Sequence, residues 1–135
     1  MNTSKNQGRC GAGFIARTPL CFGFLSGMIR RDTVFPAGDH RLGWSRAQIE
    51  NWIDGASDLL QAVEASPGAE GARSALRFCL SFAAVSSVIP GILTPAEAEA
   101  NAAAGDLGPL PAAVVDKVLA INRQRQFFVA PTKPR

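Results

Sequence analysis

Between Ser86 and Asn101 the chain reads Ser-Ser-Val-Ile-Pro-Gly-Ile-Leu-Thr-Pro-Ala-Glu-Ala-Glu-Ala-Asn. Serines and β-branched residues run into Pro90-Gly91, a turn signal. Thr94 then stands as a helix N-cap, Pro95 takes the first helical position, and Glu97 falls three residues after the cap, which together make a capping box. A strand that ends in a glycine turn and a helix N-terminus offers free backbone N–H groups and the positive end of a helix dipole. That is chemistry suited to a phosphate. An ordinary strand–turn–helix connection with no ligand explains the same residues, and local spacing leaves the two readings open.

Other residues able to do chemistry are few. The 135-residue chain has one histidine, His40, three cysteines, Cys10, Cys21 and Cys79, and no tyrosine. Without a Cys-x-x-Cys pair no zinc site is expected and no metal ligand is assigned. His40, beside Asp39, has the residue type for proton transfer, but an exposed loop histidine is the plainer reading, and no catalytic residue is assigned. Cys79 falls within an apolar helical run and reads as a small core residue. An odd number of widely spaced cysteines suits a reducing compartment, hence a cytoplasmic location.

The net charge of +3 is scattered, apart from Arg30-Arg31 and the terminal Arg123, Arg125, Lys133 and Arg135. Without a basic stripe interleaved with aromatics, nucleic acid is not an expected partner. Lys5 and Arg9 precede an apolar stretch from Gly11 to Phe24, but Arg17 and Pro19 interrupt it. No targeting signal is read, and no apolar run is long enough to span a bilayer, so no membrane partner is expected.

The elements that must position these residues follow from pattern. Gly13–Thr18 is short and apolar, as a buried strand is, and Pro19 ends it. Leu20–Gly27 reads as a structured loop or short helix, and Arg30–Trp44 as a long surface loop. Ser45 caps an amphipathic helix over about 46–65, with Ile49, Trp52, Ala56, Leu60 and Val63 at helical spacing and Gly55 weakening it. Ser66-Pro67-Gly68 breaks the chain before a second helix over about 69–82. Val85–Ile89 is the second strand, and the capped helix extends to about Ala104. A last helix begins at Pro111, and the end from about Gln126 either packs on the body or stays loose. Strands separated by helices argue for a parallel sheet in an α/β fold. Two strands make a poor sheet, and apolar strands read as buried on both faces, so the pattern implies that further strands are missing or come from a partner.

Several stretches carry a family resemblance. Ala75-Leu76-Arg77-Phe78-Cys79-Leu80-Ser81, then Val85-Ser86-Ser87-Val88-Ile89-Pro90-Gly91, with Pro95 and Asn101, resemble the end of aldo-keto reductases. Ile15-Ala16-Arg17-Thr18-Pro19-Leu20 and Gly23-Phe24-Leu25-Ser26-Gly27 resemble that family's seventh barrel strand and the loop after it. Phe35-Pro36-Ala37-Gly38-Asp39-His40-Arg41 resembles a loop common in one branch. The likeness spans roughly residues 14–121. It implies a TIM (β/α)8 barrel, of which this chain matches the last two βα units and the C-terminal helices. It also implies reduction of aldehydes or ketones by NADPH or NADH, with a nicotinamide dinucleotide and a small carbonyl substrate as partners of the full-length protein.

The resemblance further implies site roles. Arg17 would lie against the nicotinamide ring. Thr18, Pro19 and Leu20, with Gly23, Leu25 and Ser26, would wrap the pyrophosphate. Ile89, Pro90 and Gly91 would border the adenosine phosphate, and Glu97 and Asn101 would lie beside the adenine. Three positions depart from the pattern: Met28 where relatives often carry lysine, Ala100 where a glutamate often stands, and Glu97 where arginine or an amide is usual. A carboxylate at Glu97 repels a 2′-phosphate, which weakens the case for NADP over NAD. The family's proton donor is a tyrosine, helped by lysine, aspartate and histidine from the first half of the barrel, and this chain has no tyrosine. The expected organisation is a flexible segment over 1–12, a partial aldo-keto reductase domain over 13–121 and a tail over 122–135. A chain so built is expected to be inactive alone. The alternative is a non-catalytic nucleotide-binding or interaction module that self-associates.

Overall fold

A computed structural model describes residues 12–129. The expectations for the first eleven residues, Cys10 among them, and for Lys133 and Arg135 lie outside the described residues. Two strands, β1 (Phe14–Arg17) and β2 (Val85–Ile89), pair in parallel, with Phe14 opposite Val85, Ile15 opposite Ser87, Ala16 opposite Val88 and Arg17 opposite Ile89. Parallel neighbours need a long crossover. Here it contains α1 (Arg46–Ala62) and α2 (Ala69–Leu80), and β2 is followed by α3 (Pro95–Asp106) and α4 (Ala112–Gln124).

The local chemistry explains these boundaries. The Gln48 N–H donates to Ser45 Oγ at 3.2 Å, which caps α1. Gly68, with φ +102°, makes the break before α2. On α1, Trp52, Ala56 and Leu60 recur every four residues and are buried. Trp52 meets Phe24 edge-on at 5.3 Å and Trp44 at 4.8 Å, so this core joins α1 to the segment after β1. Leu76 of α2 is fully buried, with 0% of its surface exposed. Arg77 donates to the carbonyls of Gly108 (2.9 Å) and Pro109 (3.0 Å), and the Leu110 N–H donates to Ser81 Oγ (2.9 Å). These bonds tie the end of α2 to the α3–α4 connection.

Two expectations need correction. The apolar strands are not buried on both faces: Ile15 and Ile89 are each 58% exposed. Among the described residues the sheet has only two strands, so most of its surface has nothing to pack on. The 30–44 stretch is not all loop, because His40–Gly43 forms a 3₁₀ turn capped by Asp39. Chain past Ile121 is helical to Gln124, and the residues that follow it pack. Gln48 Nε2 donates to the Phe127 carbonyl and the Val129 N–H donates to Gln48 Oε1, both at 2.8 Å. Arg125 reaches Asp58 and Asn51, and Asn51 reaches the Gln126 carbonyl.

Candidate functional site

The register brings the two expected halves of the site to one edge. Arg17 pairs with Ile89, so Thr18–Leu20 and Pro90-Gly91 leave the sheet side by side at its carboxyl end. From Thr18 the backbone is unusual. Thr18 (φ +56°), Cys21 (+46°), Phe22 (+57°) and Gly23 (+93°) all lie in the left-handed region. For the three non-glycine residues that conformation costs about 1–2 kcal/mol each, so the surroundings must hold it.

Local bonds hold part of it. The Cys21 N–H donates to the Thr18 carbonyl and the Gly23 N–H to the Leu20 carbonyl, both at 3.0 Å, and the Leu25 N–H also donates to Leu20 at 3.1 Å. Pro19 is buried, and Phe24, at 2% exposed, anchors the kinked Cys21–Ser26 segment in the core. Ser26 Oγ donates to the Gly23 carbonyl at 2.7 Å, and the Ser26 carbonyl accepts the Gly68 N–H at 2.7 Å. The last bond seats the turn on the start of α2. Gly71 allows that approach: a Cβ there would lie 2.9 Å from the Ser26 carbonyl oxygen.

On the β2 side, the capping box forms as the spacing predicts. The Glu97 N–H donates to Thr94 Oγ1 at 3.2 Å, while Glu97 Oε2 accepts the N–H groups of Leu93 (2.7 Å) and Thr94 (3.2 Å). This changes the chemistry expected of the helix end. Pro95 has no N–H, the Ala98 N–H bonds to the Thr94 carbonyl, and Ala96 carries the one first-turn N–H without a partner among the described residues. The donors proposed for a phosphate are largely engaged by the cap, and Glu97 sets a negative charge beside them. Asn101 Nδ2 reaches the Gly91 carbonyl at 3.5 Å, a long contact that links α3 back to the turn.

A cavity of about 410 Å³ opens below the β1 loop, with Arg17, Pro19 and Leu25 on one wall and Leu59, Phe78 and Val118 on the others. Thr18 also lines it; Leu20, Gly23, Ser26, Ile89, Pro90, Gly91, Glu97 and Asn101 do not. The structure therefore divides the expected site between a cavity wall, a strained loop and a capped turn. Cys79 lines the cavity as well, and burial raises its thiol pKa, as it does that of Cys21. Neither is poised as a nucleophile. Among the described residues no three His, Cys, Asp or Glu side chains gather as metal ligands.

The Phe35–Arg41 stretch holds a feature that its residue types alone do not reveal. Asp39 forms a two-pronged ion pair with Arg41, whose hydrogen bonds hold the Asp39 carboxyl down at about 2. His40 beside it is 63% exposed and packs its ring on Phe22 (5.4 Å) and Trp44 (5.5 Å).

The residues present fit a dinucleotide better at the β1 loop than at α3. Arg17 is exposed and has no ion-pair partner among the described residues, so its guanidinium is free to stack on a ring. At α3 the cap occupies the donors. Comparison with known proteins adds the family. The chain matches the model of the aldo/keto reductase family over residues 5–123. No curated protein and no solved structure matches it. A match across that much of 135 residues, together with parallel strands ending side by side at a loop and a capped turn, establishes that the chain belongs to the aldo/keto reductase family.

Proposed function

We propose that this chain is the cofactor-holding end of an aldo/keto reductase barrel: its last two βα units and C-terminal helices, carrying part of the site for NADP or NAD. The observation that carries the reading is the side-by-side exit of β1 and β2 into the strained loop and the Pro90-Gly91 turn. In (β/α)8 barrels, phosphate sites lie at the loops after the last two strands. When bound, the dinucleotide supplies hydride for reducing an aldehyde or ketone. Arg17 would stack on the nicotinamide ring. The backbone of Thr18–Leu20 and Gly23–Ser26 would follow the pyrophosphate. Ile89, Pro90, Gly91 and Asn101 would border the adenosine, with Glu97 holding the cap and disfavouring a 2′-phosphate.

The chain has no tyrosine. The proton donor expected of the family lies outside these 135 residues, so we read them as inactive alone. The reading also places it in the cytoplasm, where Cys21 and Cys79 stay reduced. No helix among the described residues is long and apolar enough to cross a membrane. One observation favours a second reading. The exposed Ile15 and Ile89 on an open two-stranded sheet suit a nucleotide-binding or interaction module that self-associates.

Titration of the purified chain with NADPH and NADH by fluorescence, with its mass in solution measured on the same sample, tests both. Saturable binding by a monomer supports the cofactor-holding reading. Saturable binding by a discrete oligomer supports the self-associating module. A folded chain that binds neither nucleotide overturns the nucleotide role in both.

A further inference from the structure

The strained loop has a support from another part of the chain. Asp39 caps the His40–Gly43 turn, its Oδ1 accepting the Arg41 N–H at 2.9 Å. The same carboxylate takes the Arg41 guanidinium on two prongs, Nε to Oδ1 at 2.9 Å and Nη2 to Oδ2 at 2.6 Å. Such pairing fixes the plane of the guanidinium as well as its position. The Phe35 ring lies against that plane, 4.5 Å from the guanidinium carbon. One edge remains, and Nη1 donates from it to the Phe22 carbonyl at 3.3 Å. Phe22 is one of the three non-glycine residues of this loop held at positive φ, and its ring packs on Trp44 at 4.8 Å. Among the described residues, this is the one hydrogen bond that brings a side chain from another element to the backbone of residues 18–23.

We infer that Asp39 and Arg41 are a positioning pair: Asp39 aims Arg41, Arg41 latches the Phe22 carbonyl, and the latch holds the loop after β1 in the conformation that receives the nucleotide. The role in binding rests on the reading of that loop given above; the latch itself is a property of the loop backbone. The turn bonds within residues 18–25 set the loop's shape but do not tie it to the segment that covers it. The Arg41 bond does, and it does so at a strained residue, where an unlatched backbone has the most to gain by relaxing. If only part of the population keeps the competent loop, the apparent dissociation constant rises in inverse proportion to that part.

The test uses the full 135-residue chain and two variants, Arg41→Lys and Asp39→Asn. Lysine keeps the charge but loses the fork, and asparagine leaves Arg41 in place but unaimed. Amide hydrogen exchange at neutral pH is followed in peptides covering residues 18–27, with α1 and α2 as folding controls. NADPH and NADH titrations are run in parallel. Both variants are expected to raise loop exchange about tenfold, leave the helices unchanged and weaken nucleotide binding by a similar factor. Unchanged loop exchange overturns the latch, and so does a uniform rise across loop and helices, which would mark a general brace. A looser loop with unchanged nucleotide affinity overturns the positioning role. If the wild-type chain binds neither nucleotide while the variants still loosen the loop, the latch stands and the nucleotide reading falls.

Discussion

Replacing Gly71 by alanine tests how the candidate loop is seated. Gly71 is the third residue of α2 and is buried, and a Cβ there would stand 2.9 Å from the Ser26 carbonyl oxygen and 2.8 Å from Leu60 Cδ2. The leucine methyl can rotate aside. The carbonyl belongs to backbone and is held by the Gly68 N–H at 2.7 Å. Relief therefore requires the turn and α2 to part by roughly half an ångström, enough to forfeit part of their van der Waals contact. Helix propensity favours alanine by at most about 1 kcal/mol, while overpacking of this kind costs about 1–3 kcal/mol and weakening the Gly68–Ser26 bond adds about 1 kcal/mol. The net expectation is destabilisation by about 1–3 kcal/mol, a fall in Tm of roughly 4–15 °C for a domain of this size. Scanning calorimetry measures it, with Gly105→Ala as the control. An added Cβ at Gly105 meets nothing within 4 Å, so there alanine is expected to raise Tm slightly. A Gly71→Ala protein as stable as the parent, or more so, would refute the argument that the loop rests rigidly on α2.

Other outcomes follow from the same geometry. Glu97→Gln keeps an acceptor for the capping box and removes the charge; in water, two unit charges about 4 Å apart interact by about 1 kcal/mol, the scale expected if the proposed 2′-phosphate sits beside it. NADPH binding is therefore expected to tighten several-fold while NADH binding stays put, and equal changes for both would contradict the placement. Asp39 is held at about 2 by Arg41, below its ordinary value near 3.8. A depressed carboxyl stabilises the folded state above the unfolded value and loses that contribution as pH falls. The Tm difference between the parent and Asp39→Asn should thus persist from pH 7 to 5 and shrink between about pH 4 and 2. Cys21 and Cys79, raised by burial, should alkylate more slowly than a free cysteine at pH 7.5 and at the ordinary rate once the chain is unfolded, as mass spectrometry would read.

The elements were legible where local chemistry decides them. Ser45 and Thr94 cap their helices, Pro90-Gly91 ends β2, and the apolar spacing on α1 marks the face that carries Trp52 and Leu60. Features decided by distant partners were not legible. Apolar strands suggest burial, but burial depends on what lies across the sheet, and Ile15 and Ile89 have little there. Gly55 reads as a weak point in α1; its reason is the Phe127 ring, which a Cβ would approach to 2.6 Å. Left-handed backbone at Thr18, Cys21 and Phe22 has no residue signature, since none of these types favours it. At Glu97 the capping chemistry was legible, and its side chain accepts from Leu93 and Thr94 as the spacing predicts.

In the proposed reading the loop after β1 and the turn after β2 hold the nucleotide between them. Amide hydrogen exchange of the full chain, with and without saturating NADPH or NADH, tests it most directly. Protection is expected to be confined to residues 18–26 and to the amides of Gly91, Ile92 and Ala96, with α1 and α4 unchanged. A folded chain that shows no protection, or protection only elsewhere, would contradict it.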